Sequence, residues 1–164
     1  MNHIQALNTT RPLFVGQAPG RVAKRGARAF SGRVGSSARL AKLAGTTVDG
    51  FLSRAETVNV LKAWPGKSGK GDAFPRPAAR RGVNEILRSE AFKRSTRVVF
   101  VGQAVWRAFL GPMVMRPCEW SSVFLRGHCP DVAYLPHPSG VNRWYNEPEN
   151  RMIAGAFLRE VLDV

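Results

Sequence analysis

Pro12-Leu13-Phe14-Val15-Gly16-Gln17-Ala18-Pro19-Gly20 is the stretch whose reading decides the fold. Its first four residues are apolar and read as a short buried strand that stops on Gly16. A Gly- and Arg-rich loop follows, from 17 to about 35. Ser36 or Ser37 then caps a helix that carries Leu40 and Leu43 and closes on Gly45. Further along, 57–61 is a second strand alternating around Asn59. Residues 63–77 read as a loop, punctuated by Pro65, Gly66, Gly69, Gly71, Pro75 and Pro77. Residues 78–92 form a helix with Val83, Ile86 and Leu87 on one face. Arg97–Val101 is the clearest buried strand, β-branched and apolar. A helix over 103–110 is stopped by Gly111 and Pro112. A short extra strand falls at 123–125 and the last strand at 132–135. Asn146 with Glu149 three residues on is a capping-box signal for a final helix. Its core stripe is Ile153, Phe157 and Val161.

Strands alternating with helices predict an α/β fold. The expectation is a central four-stranded, mostly parallel sheet flanked by helices in three layers. With 164 residues, the chain reads as a single domain over 1–164, with 1–10 flexible. In such sheets ligands gather at the carboxyl ends of the strands. Three unusual segments follow strands directly: 16–20, the stretch from Leu61, and 137–145. They are expected to meet in one crevice.

Charge narrows the partner. Lys and Arg number 25 against 11 Asp and Glu, a net charge of +14. No acidic residue precedes Asp49, whereas Arg11, Arg21, Lys24, Arg25, Arg28, Arg33, Arg39 and Lys42 do. An imbalance of this size points to a polyanion, nucleic acid before an anionic membrane. No apolar run approaches the ~18 residues of a membrane span. The first ten residues lack the pattern of a signal peptide, so the expected setting is the cytoplasm, against the nucleoid. The two cysteines, Cys118 and Cys129, lack zinc-type spacing and read as reduced thiols. No metal or cofactor is expected, and the chain is expected to be a monomer.

Four blocks carry a family resemblance. Phe14-Val15-Gly16-Gln17-Ala18-Pro19-Gly20 resembles the first motif of the uracil-DNA glycosylase superfamily. Ala29-Phe30-Ser31-Gly32-Arg33-Val34-Gly35 is similar to the PFVGRAG stretch of its iron–sulfur-containing bacterial and archaeal branch. Val58-Asn59-Val60-Leu61-Lys62 resembles that branch's TNVVK strand, and His137-Pro138-Ser139-Gly140 the superfamily's second catalytic motif. The blocks stand in the family's order and span most of the chain.

The resemblance implies that His137 donates a hydrogen bond to the carbonyl oxygen of the departing base. It implies that Ser139 and the Gly140 backbone grip a DNA phosphate, and that Val141 is the wedge into the base stack. Asn142 and Arg143 belong to the same DNA-binding loop, and Arg33 is a further phosphate candidate. Trp144 and Tyr145 add rings suited to stacking. An enzyme acting on a duplex base must extrude it, stack it and read its edge. Phe30 is then a stacking platform, or else a loop phenylalanine plugging the core. Asn59 offers donor and acceptor to a pyrimidine edge, or else is a satisfied polar residue at a strand end. Gln17 and Ala18 complete the base-binding set, and Gln17 is the second catalytic candidate.

Two departures from the family pattern matter. Relatives that remove uracil commonly place an acid within or just after the first motif, where this chain has Ala18. Gln17 can orient a water or bond the base through its backbone, but it is no base at neutral pH. Asp72, in a loop of mobile composition, is an alternative carboxylate for that place, and the sequence leaves open whether any carboxylate activates the water. The cluster-binding cysteines are absent as well, so no iron–sulfur cluster is implied. The reading is a DNA glycosylase whose target extends to deaminated, damaged or bulky modified bases. The alternatives are a DNA-binding module that keeps the fold without turnover, and a basic RNA-associated structural protein.

Overall fold

A computed structural model describes residues 10–164; the expected flexibility of 1–10 falls, but for Thr10, outside the described residues. One sheet organises the chain. Strands β1 (Leu13–Gly16), β2 (Glu56–Asn59), β5 (Arg97–Val101), β6 (Trp120–Ser122) and β7 (Asp131–Leu135) lie in the order β2-β1-β5-β7-β6. Four run parallel and β6 is antiparallel to β7 at the edge. The sheet therefore has five strands, one more than expected. The extra strand falls at Trp120–Ser122 and not at 123–125, where Leu125 makes only an isolated bridge to His128.

Alternation along the strands builds a core on each face. Leu13, Val15, Val98 and Phe100 point to one side, and Phe14, Val99 and Val101 to the other. Helices α3 (Arg76–Arg88), α4 (Glu90–Arg94) and α5 (Gln103–Leu110) cover the first side. Helices α1 (Ser36–Leu43), α2 (Val48–Arg54) and α6 (Pro148–Leu162) cover the second. Both faces buried is why the central strands read as continuous apolar runs. Each large side chain so enclosed contributes about 1.5–3 kcal/mol. Gly82 lets α3 settle on the end of β2: a Cβ there would lie 1.9 Å from the Val60 carbonyl oxygen.

Local chemistry explains where the helices depart from expectation. The helix expected over 78–92 is two helices, because the Ser89 hydroxyl donates to the Ile86 carbonyl and accepts from the Phe92 N–H. Helix α2 was not foreseen; it is one buried phenylalanine (Phe51) behind a Thr47 cap that accepts from the Gly50 N–H. Helix α1 starts on Gly35 without a serine side-chain cap; at its other end the N–H of Gly45 (φ +71°) bonds to the Lys42 carbonyl and the Thr46 N–H to the Ala41 carbonyl. The capping box at Asn146 does not form: Asn146 ends a 3-10 turn (Arg143–Asn146), and Pro148 opens α6 behind Glu147. Ile153 is exposed, and the buried stripe of α6 runs through Ala154, Phe157, Leu158 and Val161. The loop expected over 63–77 contains a hairpin, β3 (Lys67–Ser68) with β4 (Gly71–Asp72), in a sheet of its own.

The chain leaves β1 for β2 on one flank and returns to place β5 on the other. That reversal is the switch point at which α/β sheets hold ligands.

Candidate active site

The long loop after β1 is fastened at named points. Arg28 does most of it: its guanidinium donates to Thr57 Oγ1 (3.0 Å), the Leu52 carbonyl (3.0 Å) and the Ala55 carbonyl (2.8 Å). The Gly26 N–H bonds to the Lys62 carbonyl at 2.7 Å. Arg28→Ala would strip three acceptors of one charged donor at a partly exposed site. The expected loss is about 1–2 kcal/mol, a fall of about 4 °C in thermal midpoint by calorimetry.

Held in this way, the loop places Phe30 at φ +57°, a left-handed backbone that costs a bulky side chain about 1 kcal/mol or more. The ring sits edge-on to Phe51, centroids 6.3 Å apart, and also lines the cleft. It is thus both platform and partial plug. Asn59 ends β2 opposite Gly16. A Cβ on Gly16 would lie 2.7 Å from Asn59 Oδ1 and 3.0 Å from the Phe30 ring. Glycine at this strand end is what lets the amide and the ring meet. The Asn59 amide has no hydrogen-bond partner among the described residues and faces the cleft.

His137 leaves β7 on a rigid turn. The carbonyl before it, Pro136, accepts from the Tyr145 hydroxyl at 2.6 Å. Its own carbonyl accepts from Ser139 N (2.8 Å) and Asn142 Nδ2 (3.0 Å). The imidazole packs over Gly102, at the end of β5, and makes no hydrogen bond to a described residue. Burial holds its pKa below the ordinary 6.5, against an opposing pull from the Asp72 charge. At neutral pH it is a neutral ring with one N–H to give.

These groups line one cleft of 740 Å³ with Gln17, Ala18, Asp72, Lys24 and Arg25. The strand-end segments thus converge as the sequence reading expects. Gln17 gives its amide to the Ala73 carbonyl at a long 3.4 Å, and its own carbonyl accepts from Leu61 N. Ser139, Gly140 and the exposed Val141 form the lip beyond His137, with Arg143 exposed beside them.

Other expected residues are employed differently. Arg33 is outside the cleft lining and pairs with Asp49 at 3.4 Å, both largely exposed. Asn142 spends its amide inside the loop, donating to the His137 carbonyl and accepting from Trp144 N. Trp144 and Tyr145 are not free to stack on DNA: they pack edge to face (4.9 Å) against the α6-side core. Burial drives the Tyr145 phenol pKa well up. The residue not foreseen in a specific role is Arg39 on α1. A Cβ on Gly140 would lie 2.7 Å from both terminal guanidinium nitrogens, so Arg39 supports the lip where a phosphate is expected. No local pattern marks it, because the contact joins residues about a hundred positions apart.

Neither cysteine belongs to this cleft. Cys118 is half-buried, its thiol pushed up to about 12 by burial, and Cys129 is exposed. Among the described residues no three His, Cys, Asp or Glu side chains come together to hold a metal. No helix among them is long and apolar enough to cross a membrane.

No curated protein sequence matches the chain. The family model of the uracil DNA glycosylase superfamily, whose members act on DNA, matches residues 4–161, a span that takes in the sheet, the loop after β1, Asn59 and His137. With the whole described sheet inside the matched span, the chain belongs to the uracil DNA glycosylase superfamily.

Proposed function

We propose that the protein is a DNA glycosylase that takes one base out of the stack and hydrolyses its N-glycosidic bond. The observation that carries this reading is the meeting of Phe30, Asn59 and His137 in one cleft, the last two without hydrogen-bond partners among the described residues. Polar groups that face a cleft without a protein partner are open to a ligand that displaces their water. A flipped base does so: its face lies on Phe30, its edge pairs with the Asn59 amide, and a carbonyl oxygen accepts from the His137 ring. As the bond to C1′ lengthens, charge develops on that carbonyl, and the fixed N–H stabilises it. Ser139, the Gly140 backbone, Arg39 and Arg143 take the flanking phosphates, and Val141 fills the gap the base leaves. The protein works as a monomer, on DNA open to the cytoplasm.

The test is a panel of oligonucleotides, single- and double-stranded, carrying uracil and other deaminated, damaged or bulky bases. Alkali-labile abasic sites should appear with at least one of them. Asn59→Ala should then narrow the preference for that base about tenfold, the scale of one lost polar partner. DNA binding without an abasic site in any panel member would favour the binding-module alternative, which the plain methyl of Ala18 also suits.

A further inference from the structure

Breaking a glycosidic bond leaves a cationic sugar that must be met by a water molecule, and something has to hold that water. In the loop after β1, Ala18 offers no polar side chain and Gln17 has its amide turned to Ala73. Among the described residues that line the cleft, the one carboxylate is Asp72, which arrives from the β3–β4 hairpin. Its Oδ1 takes both of its bonds, from Lys67 Nζ at 2.9 Å and from Trp64 Nε1 at 3.3 Å. Two donors on one oxygen fix the plane of the carboxylate and leave Oδ2 open. The hairpin is moored to the cleft wall by the Gln17–Ala73 bond, and the Arg21 guanidinium lies 5.8 Å from the Trp64 ring centre.

We infer that Asp72 is the water-holding carboxylate of this cleft, its Oδ2 accepting from the water that attacks C1′ of the flipped nucleotide. The inference rests on the glycosylase reading. In the step it describes, the C1′–N bond breaks and its electron pair leaves with the base, whose carbonyl is held by His137. The water oxygen bonds to C1′ and its proton passes to Asp72, then to solvent, while the departing base takes a proton from solvent. The bond from Lys67 keeps the Asp72 pKa below the ordinary 3.8, so the group is ionised at neutral pH. A weak base suffices here, because a water already bonded to a cationic carbon is far more acidic than a carboxylic acid. The negative charge also favours the cationic sugar.

Asp72→Asn keeps the shape and removes the charge. On the panel member that the wild type cuts fastest, it should lower the single-turnover rate ~100-fold, the range for a positioned proton acceptor. Affinity for an uncut duplex should hold or rise, since a negative charge has gone. Asp72→Glu should recover part of the rate. Lys67→Met breaks the hairpin's ion pair but leaves the carboxylate, and should cost less than about fivefold, the worth of one surface pair. In the free protein, Asp72→Asn should move the His137 ring titration to lower pH by NMR, a readout that needs no turnover. An Asp72→Asn protein as fast as wild type overturns the inference alone, as does an unmoved His137 titration. A Lys67→Met loss as large as that of Asp72→Asn overturns it too, because the hairpin's fold would then be what matters. A wild type that cuts nothing removes the glycosylase reading first, and this inference with it.

Discussion

Excision by His137→Ala, measured in a single turnover, is expected to run ~100-fold or more below wild type, the scale for one preorganised donor. The imidazole is held outward by its neighbours and not by its own ring: Tyr145 bonds the Pro136 carbonyl, and Asn142 and Ser139 bond the His137 carbonyl. Removing the ring therefore leaves the turn standing. Affinity for uncut duplex should change little, because the phosphate contacts proposed above fall to Arg39, Ser139, Gly140 and Arg143 and not to the ring. The wild-type rate should also vary by less than about twofold from pH 8 to 6.5, since burial keeps His137 below 6.5, so that it is more than half neutral throughout, and the Lys67 bond keeps Asp72 below 3.8. Excision unaffected by His137→Ala would remove the residue from the mechanism. A melting midpoint unchanged beside a lost rate would confirm that the loss is chemical.

Affinity for a short duplex is expected to fall about 1,000-fold between 50 and 200 mM salt, if about six phosphates are neutralised. The excess of charge is +14 over the whole chain, and the carboxylates near the cleft do little to cancel it. Asp49 is engaged by Arg33 and Asp72 by Lys67, while Lys24 and Arg25 line the opening. Each cation that meets a phosphate releases condensed counterions, so the logarithm of affinity follows the logarithm of salt. Arg143→Ala and Arg39→Ala should each lower that slope by about one. A titration that is flat in salt would end the DNA-binding reading, whatever the excision assay gives.

The layered fold was legible because burial on both faces writes itself as apolar strands, Phe14 and Val98 to Val101 above all. His137 was legible because two prolines at a strand exit leave few conformations. The hairpin was not, since strands of two residues have no period to read. Trp144 and Tyr145 misled: a tryptophan and a tyrosine beside an arginine look like a DNA surface. Only the 3-10 turn, aimed by Asn142, decides that the rings face inward while Arg143 faces out. Arg28 and Arg39 were two cations among many, because a pin between distant segments leaves no local trace.

The β3–β4 hairpin pairs only with itself in the ladders described here and contributes no strand to the main sheet. It enters after β2 and leaves into α3, with its contacts to the cleft made through side chains and the Ala73 carbonyl. A segment attached in this way can be lengthened, shortened or exchanged over generations without breaking a bond of the five-stranded sheet. The scaffold that presents His137 and Asn59 is thus held together independently of the arm that brings Asp72. Replacing that one short stretch of chain would change the group proposed to attend the water and leave the pocket that receives the base as it is.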